Sequence, residues 1–192
     1  MKTQRRPETV LLPVPAVMVS IGDGEGPPNI VTLAWTGTVC SAPPMLSIAV
    51  RPSRHSYGLL QRTHDFVVNI PRAAQLWELD HCGSVSGSDV DKFAACGFTA
   101  VPASRVGSPM IEECPINIEC AVRQVIELGL HTMFIGEIVG MVADSEVLSP
   151  RQLPDIEKVR PMLFGSFGSM AYYGIGAKLG AAFSVGNQLQ RS

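Results

Sequence analysis

The stretch MLSIAVRPSRHSYGLLQRTHDFVVNI, residues 45–70, sets two short apolar runs on either side of a polar turn. In the first run Leu46, Ile48 and Val50 alternate with Met45, Ser47 and Ala49. In the second, Phe66, Val68 and Ile70 fall on one side and Asn69 on the other. A two-residue period over five or six positions marks a strand with one buried face. The segment between them, Ser56–Arg62, is a helix of barely two turns.

The same period recurs outward from this stretch. Residues 16–21, AVMVSI, place Val17, Val19 and Ile21 on one face; GDGEGPPN is a turn, and IVTLAW resumes the apolar run as the second arm of a hairpin. Downstream, INIECAV puts Ile116, Ile118, Cys120 and Val122 inward, with Asn117, Glu119 and Arg123 outward. The longer HTMFIGEIVGMV carries Gly136 and Gly140, which suit bulges or close backbone approach. Two further helices are expected, at Ala73–Cys82 and, opened by an acidic cap, at Asp89–Cys96. Helices do not alternate regularly with strands, which disfavours a doubly wound parallel sheet. The expectation is a mainly β chain: about six short strands closing into a small barrel, with helices in the gaps. No repeat, low-complexity tract or linker divides residues 1–192, which read as a single domain.

Composition narrows the function. Fifteen basic and 17 acidic residues in 192 leave a net charge of −2, so there is no basic excess for coating nucleic acid. With 46% hydrophobic and 17% charged residues, a sizeable core can form. The five cysteines, Cys40, Cys82, Cys96, Cys114 and Cys120, form no C-x-x-C pair, which points to reduced, mostly buried thiols and to no metal site. The N-terminal MKTQRR followed by VLLPVPAVMVSI resembles a secretory signal, but Glu8, Pro13 and Pro15 interrupt it. No run reaches the roughly 20 residues that span a bilayer. The expected setting is cytoplasmic, without membrane or nucleic acid as partner.

Chemistry concentrates in three places. RPSRHSYGLL, residues 51–60, combines Arg51, Arg54, His55, Ser56 and Tyr57 at a helix start, with Ser53 or Ser56 able to cap it. Guanidinium groups, hydroxyls and unpaired N–H groups favour an anion there. Taken alone, it is an ordinary strand-to-helix turn. NIVTLAWTGTVCSAPPM, residues 29–45, follows a strand with Trp35, Thr36, Gly37 and Thr38, where backbone groups can approach a flat ligand, and Pro43-Pro44 then redirects the chain. Alone, it is a core tryptophan beside a loop. GSVSGSDVDKF, residues 83–93, is a donor-rich loop that could equally be plain surface. GIGAKLG, residues 174–180, has the wrong glycine spacing and no following βαβ unit for a dinucleotide fingerprint. Among the scattered histidines, His131 stands out, beginning a strand after Gly129.

These segments, in this order, resemble the flavin reductase-like family of FMN-binding split barrels, particularly its flavoredoxin-like branch. The matching pieces are residues 29–60, DFVVNIP, GSVSGSDVDKF, HTMFIGEIVGM and YYGIG, spanning about Pro13 to Gly176. The resemblance implies a six-stranded antiparallel split β-barrel with short peripheral helices. It implies a homodimer with FMN held non-covalently near the interface. It places the flavin phosphate by Arg51, Arg54, His55, Ser56 and Tyr57, and the isoalloxazine and ribityl along Trp35, Thr36, Gly37, Thr38, Cys40 and Ser41. Ser84, Ser86 and Gly87 become a supplementary wall, His131 lies near the flavin face or the nicotinamide, and Tyr172 and Tyr173 shield the site. No catalytic acid or base is required, because the flavin carries the redox chemistry.

Two functions follow from the resemblance. In the first, NADH or NADPH reduces the flavin, which passes electrons to free flavin or a redox partner protein. In the second, the protein is an FMN-containing electron carrier that never meets nicotinamide. A third, unrelated reading is a barrel for another phosphorylated ligand. The donor stays open, since Arg5, Arg6, Arg105, Arg151 and Arg160 are all unplaced candidates for a 2′-phosphate contact.

Overall fold

The computed structural model describes residues 1–187; the last five residues of the expected 1–192 domain lie outside the described residues. In chain order the strands are β1 (Val14–Pro15), β2 (Val17–Ile21), β3 (Asn29–Leu33), β4 (Thr36–Ser41), β5 (Pro44–Val50) and β6 (Asp65–Ile70). They continue with β7 (Ala100–Val101), β8 (Met110–Ile111), β9 (Ile116–Glu127), β10 (Thr132–Ala143), β11 (Met162–Gly165) and β12 (Ala171–Gly174). The helices are α1 (His55–Thr63), α2 (Leu76–Ser84), α3 (Lys92–Cys96) and α4 (Ile156–Val159), with single 3₁₀ turns at Ala73–Gln75 and Ser145–Val147.

Seven strands form the main antiparallel sheet in the order β3-β2-β6-β9-β10-β5-β4, one more than expected. The addition is β4, which pairs with β5 from Thr36↔Ile48 to Ser41↔Pro44 across a turn at Pro43. The edge strands of this sheet, β3 and β4, are separated in sequence only by Ala34 and Trp35. A flat seven-stranded sheet would set its edges about 29 Å apart. The link from Leu33 to Thr36 can reach only about 11 Å. The sheet must therefore curl on itself, and it closes to within that link without joining: a split barrel whose split contains Trp35.

The concave side holds an apolar core. Val17, Val19, Ile21, Ile48, Val50, Phe66, Val68 and Phe134 meet there, with Leu59 and Leu60 of α1 plugging it. The alternation in β2, β5 and β6 thus points the expected residues inward. All five residues of β2 are buried, because a second core lies on its other side. There Ala16, Met18 and Ile30 pack against Leu79 and Cys82 of α2 and Phe93 of α3. Gly136 and Gly140 do sit at register shifts between β9 and β10. A Cβ at Gly136 would lie 2.8 Å from the Phe66 ring, so glycine is the residue that fits.

Several local expectations are corrected. Asn117 and Glu119 point away from the barrel but not to solvent, because the segment from β7 to β8 folds back over them. Glu119 accepts hydrogen bonds from the Ser104 hydroxyl at 2.9 Å and the Arg105 N–H at 2.6 Å. Asn117 donates to Asn69 Oδ1 at 2.8 Å. Ile70 packs beside Ile116, Val147 and Val159 and not in the barrel core. The acidic cap of α3 is Asp91, accepting from the Ala94 N–H, and not Asp89. Neither Ser53 nor Ser56 caps α1; Arg54 occupies the N-cap and makes no side-chain cap bond. Among the described residues, no helix is long and apolar enough to cross a membrane.

Candidate functional site

A cavity of about 800 Å³ opens at the split. One wall is β3 from Val31 to Leu33 and the Ala34–Trp35 link; facing it are Ala49 and Val50 at the end of β5. The Trp35 carbonyl accepts the Ala49 N–H at 2.9 Å, which fixes the link against β5. Arg51 and Arg54 line the mouth where β5 turns into α1, and Gly83 and Ser84 close it from the end of α2. Phe164, Phe167 and Tyr172 complete an apolar side. Tyr172 is held there by donating to Asp80 Oδ1 at 3.0 Å; burial, then that bond, pushes its phenol up to about 12. A smaller cavity of about 450 Å³ lies around Trp35 and is lined by Thr36, Gly37, Thr38 and Val39 of β4.

Trp35, Arg51, Arg54, Ser84, His131 and Tyr172 are thus brought together around the larger cavity, and Thr36, Gly37 and Thr38 around the smaller one. The remaining expected residues line neither. Cys40 and Ser41 lie at the far end of β4, His55 is exposed on α1, and Tyr57 packs edge-on against Phe134 with ring centroids 5.8 Å apart. Ser56 is buried, its hydroxyl accepting from Asn29 Nδ2 at 2.7 Å. Gly87 sits so close to Asn29 that a Cβ would meet its Oδ1 at 2.1 Å, while the Ser86 hydroxyl pairs with that of Ser88. Tyr173 faces outward beside Ser169.

The charges at the mouth have no carboxylate partner among the described residues. Arg6, Arg62, Arg72 and Arg123 each pair with a carboxylate, but among the described residues no carboxylate lies within salt-bridge distance of Arg51 or Arg54. Arg51 instead donates from Nε to His131 Nε2 at 3.4 Å. His131 stacks parallel to Trp35, 4° between planes and 6.4 Å between centroids. Burial, then the Arg51 charge, holds His131 below its ordinary pKa, so the imidazole is neutral and can accept that bond.

Lys92 is a buried charge near the cavity wall that spacing did not single out. It is buried, and its ammonium donates to the carbonyls of Ile30 and Cys82 at 2.7 Å each. Burial depresses its pKa, and Arg54 adds to the fall. Cys82 directly precedes Gly83 of the cavity wall, so this ammonium adds positive field behind that wall. Nearby, Asn29 Oδ1 is buried without a partner. The DKF run contains Lys92, but nothing local foretells that its side chain turns inward.

Two guanidinium groups at the mouth with no carboxylate partner among the described residues, an apolar wall and a flat Trp35–His131 pair fit a ligand with a phosphate and a planar ring. FMN has both. The donor set is suited to it: arginine forks for the phosphate, and exposed strand-end backbone for the ring edge.

A model of the flavin reductase-like domain matches residues 10–169. The chain belongs to that family. Its fold matches flavoredoxin of Desulfovibrio vulgaris (Miyazaki F) with a TM-score of 0.91 and 37% identity, covering 97% of this chain and 100% of that one. Flavoredoxin of Methanosarcina acetivorans matches with a TM-score of 0.91 and 29% identity over 98% of this chain and 100% of its own. In sequence, an NADH-dependent FAD reductase of Streptomyces globisporus is 27% identical over 128 residues, 66% of this chain and 68% of that protein.

Proposed function

We propose that the protein is an FMN-binding oxidoreductase that takes reducing equivalents from NADH or NADPH and delivers them to free flavin or a partner acceptor. The observation that carries the reading is the pair Arg51 and Arg54, unmatched by carboxylate among the described residues, at the mouth of an apolar cavity in the barrel split. Arg51 and Arg54 hold the phosphate, with the start of α1 and the Lys92 ammonium adding positive field. Trp35 and its neighbours on β3 and β4 support the ring. Neutral His131 orients Arg51 and flanks the ring without adding charge. Bound FMN supplies a centre that accepts hydride from nicotinamide and returns electrons singly or in pairs. The protein binds, orients and excludes water.

The site is completed in this reading by a second copy of the chain. Val39 on the edge strand β4, with Leu128 and Leu130 at the β9–β10 turn, presents exposed apolar surface beside the cavities. An unpaired apolar edge is a natural pairing surface. Sedimentation should show a dimer, and dilution to monomer should release FMN; a monomer that keeps FMN contradicts this part.

The resemblance to flavoredoxin at 37% identity favours a second reading, an electron carrier that holds FMN but does not oxidise nicotinamide. One anaerobic experiment separates the two. The FMN-loaded protein is mixed with NADH and then NADPH while the flavin band is followed. Bleaching within turnover times supports the reductase and names its donor, whereas a flavin that stays oxidised favours the carrier.

A further inference from the structure

Beneath the cavity wall, Cys82 near the end of α2 and Cys96 at the end of α3 bring their sulfurs to 3.7 Å. The two are 14 positions apart, on separate elements, and neither thiol has a role in the proposed reaction. Cys82 is fully buried; Cys96 is partly exposed and so within reach of a small oxidant. We infer that Cys82 and Cys96 form a reversible disulfide that strains the cavity wall, making ligand binding at the split sensitive to oxidation. The effect on FMN rests on the function proposed above; the crosslink itself does not.

The chemistry closes with hydrogen peroxide as the oxidant. Peroxide oxidises the Cys96 sulfur to a sulfenic acid and releases one water. The Cys82 sulfur then attacks the sulfenic sulfur, forming the S–S bond and releasing a second water. Two thiols lose two hydrogens in all, and one peroxide becomes two waters. Burial raises both thiols, which slows the oxidation, and the Cys82 hydrogen bond partly relieves Cys96; the first attack falls on Cys96 because it is the more accessible sulfur. A low-molecular-weight dithiol reverses the bond.

Connectivity explains why the site would feel it. A disulfide is about 2.05 Å long, so the sulfurs must close by roughly 1.6 Å; side-chain rotation takes up part of this, and in this inference the remainder falls on α2 and α3. Cys82 is followed directly by Gly83 and Ser84, which line the cavity. Gly83 is packed so closely on Thr32 that a Cβ there would lie 3.1 Å from the Thr32 Cβ. On α3, Lys92 lies one turn before Cys96 and holds the Cys82 carbonyl. Closure therefore pulls on two sides of the same wall.

The test treats the full-length protein with hydrogen peroxide, then measures intact mass, non-reducing peptide maps and FMN affinity before and after reduction by dithiothreitol. The expected result is loss of two hydrogens mapped to Cys82–Cys96, a several-fold weaker FMN complex, and recovery of both on reduction. Cys96→Ser and Cys82→Ala should each abolish the crosslink; Cys96→Ser, at the more exposed position, serves if the buried change impairs folding. Sulfinic acid on Cys96 without a crosslink, or a disulfide through Cys40 instead, overturns the inference. A mapped Cys82–Cys96 bond with unchanged FMN affinity overturns the coupling to the wall. If untreated protein fails to bind FMN at all, the proposed function has failed, and the mass measurement still judges the disulfide.

Discussion

Two strand-to-helix turns in this molecule are built alike and finished differently. Arg54 follows β5 and stands at the N-cap of α1; Arg72 follows β6 and stands at the N-cap of the 3₁₀ turn Ala73–Gln75. At Arg72 the charge and the backbone N–H are both met internally. Its N–H donates to Gln75 Oε1 at 2.8 Å, and its guanidinium pairs with Asp144 at 2.9 Å and with Glu146. At Arg54 there is no side-chain cap and no carboxylate partner among the described residues. The Arg72 turn is a structural clamp between β6 and the segment after β10. The Arg54 turn opens on the cavity with its charge unmatched by carboxylate among the described residues, which is the charge the proposed function gives to the phosphate. The same residue in the same local setting thus does different work according to which chain segment arrives opposite.

The strongest way to break this contrast is to remove the open cations. Arg51→Ala and Arg54→Ala should each weaken FMN binding by about 1.5–3 kcal/mol, the worth of a charge-assisted hydrogen bond. The urea midpoint should barely move, because neither side chain has a carboxylate partner among the described residues and Arg51 gives up only its long, exposed contact with His131. A stability loss with intact FMN affinity would reverse the roles of the two turns.

Arg72→Ala should do the opposite. Partly exposed ion pairs are worth up to about 1 kcal/mol, so the unfolding midpoint should fall modestly while FMN affinity stays at its original value. Ser53→Asp sharpens the contrast further by giving the open turn an internal acid. A carboxylate beside a helix start stabilises it by about 0.3–1 kcal/mol, while the same charge repels phosphate and competes for Arg54. Stability should rise and FMN affinity fall in one variant; a fall in both would show that position 53 tolerates no change.

The smallest effect concerns His131. Its proton is bound less readily in the folded chain than in the unfolded one, through burial first and Arg51 second. The folded state therefore carries fewer protons, and its stability from this group is present above the ordinary value of about 6.5 and is lost as pH falls through the lowered one. An NMR titration of the imidazole should give a midpoint below 6.5, moving up in Arg51→Ala. A midpoint at or above the ordinary value would contradict the Arg51–His131 contact.

The barrel was legible because its signal is local. The period-two pattern in β2, β5 and β6 orients Val17, Ile48 and Phe66 correctly. The paired glycines in β10 mark the bulges. What escaped depends on distant segments. Asn117 and Glu119 read as outward until the β7–β8 segment covers them. The inward turn of Lys92 depends on the carbonyls of Ile30 and Cys82, one of them 62 residues away. For the site, Arg51 and Arg54 were visible as a turn suited to an anion, but the absence of a carboxylate beside them among the described residues was not. Asp144 and Glu146, which satisfy Arg72, lie more than 70 residues from it, and no local pattern reveals which arginine they will choose.

In the proposed function the open turn holds the phosphate of a flavin. Its most direct test is to titrate FMN and riboflavin, which differ only in that phosphate, into the wild-type protein and Arg54→Ala by fluorescence quenching. Wild type should prefer FMN strongly, and Arg54→Ala should remove much of the preference while leaving riboflavin affinity intact. Equal affinity of wild type for the two ligands, or a preference untouched by Arg54→Ala, would contradict it.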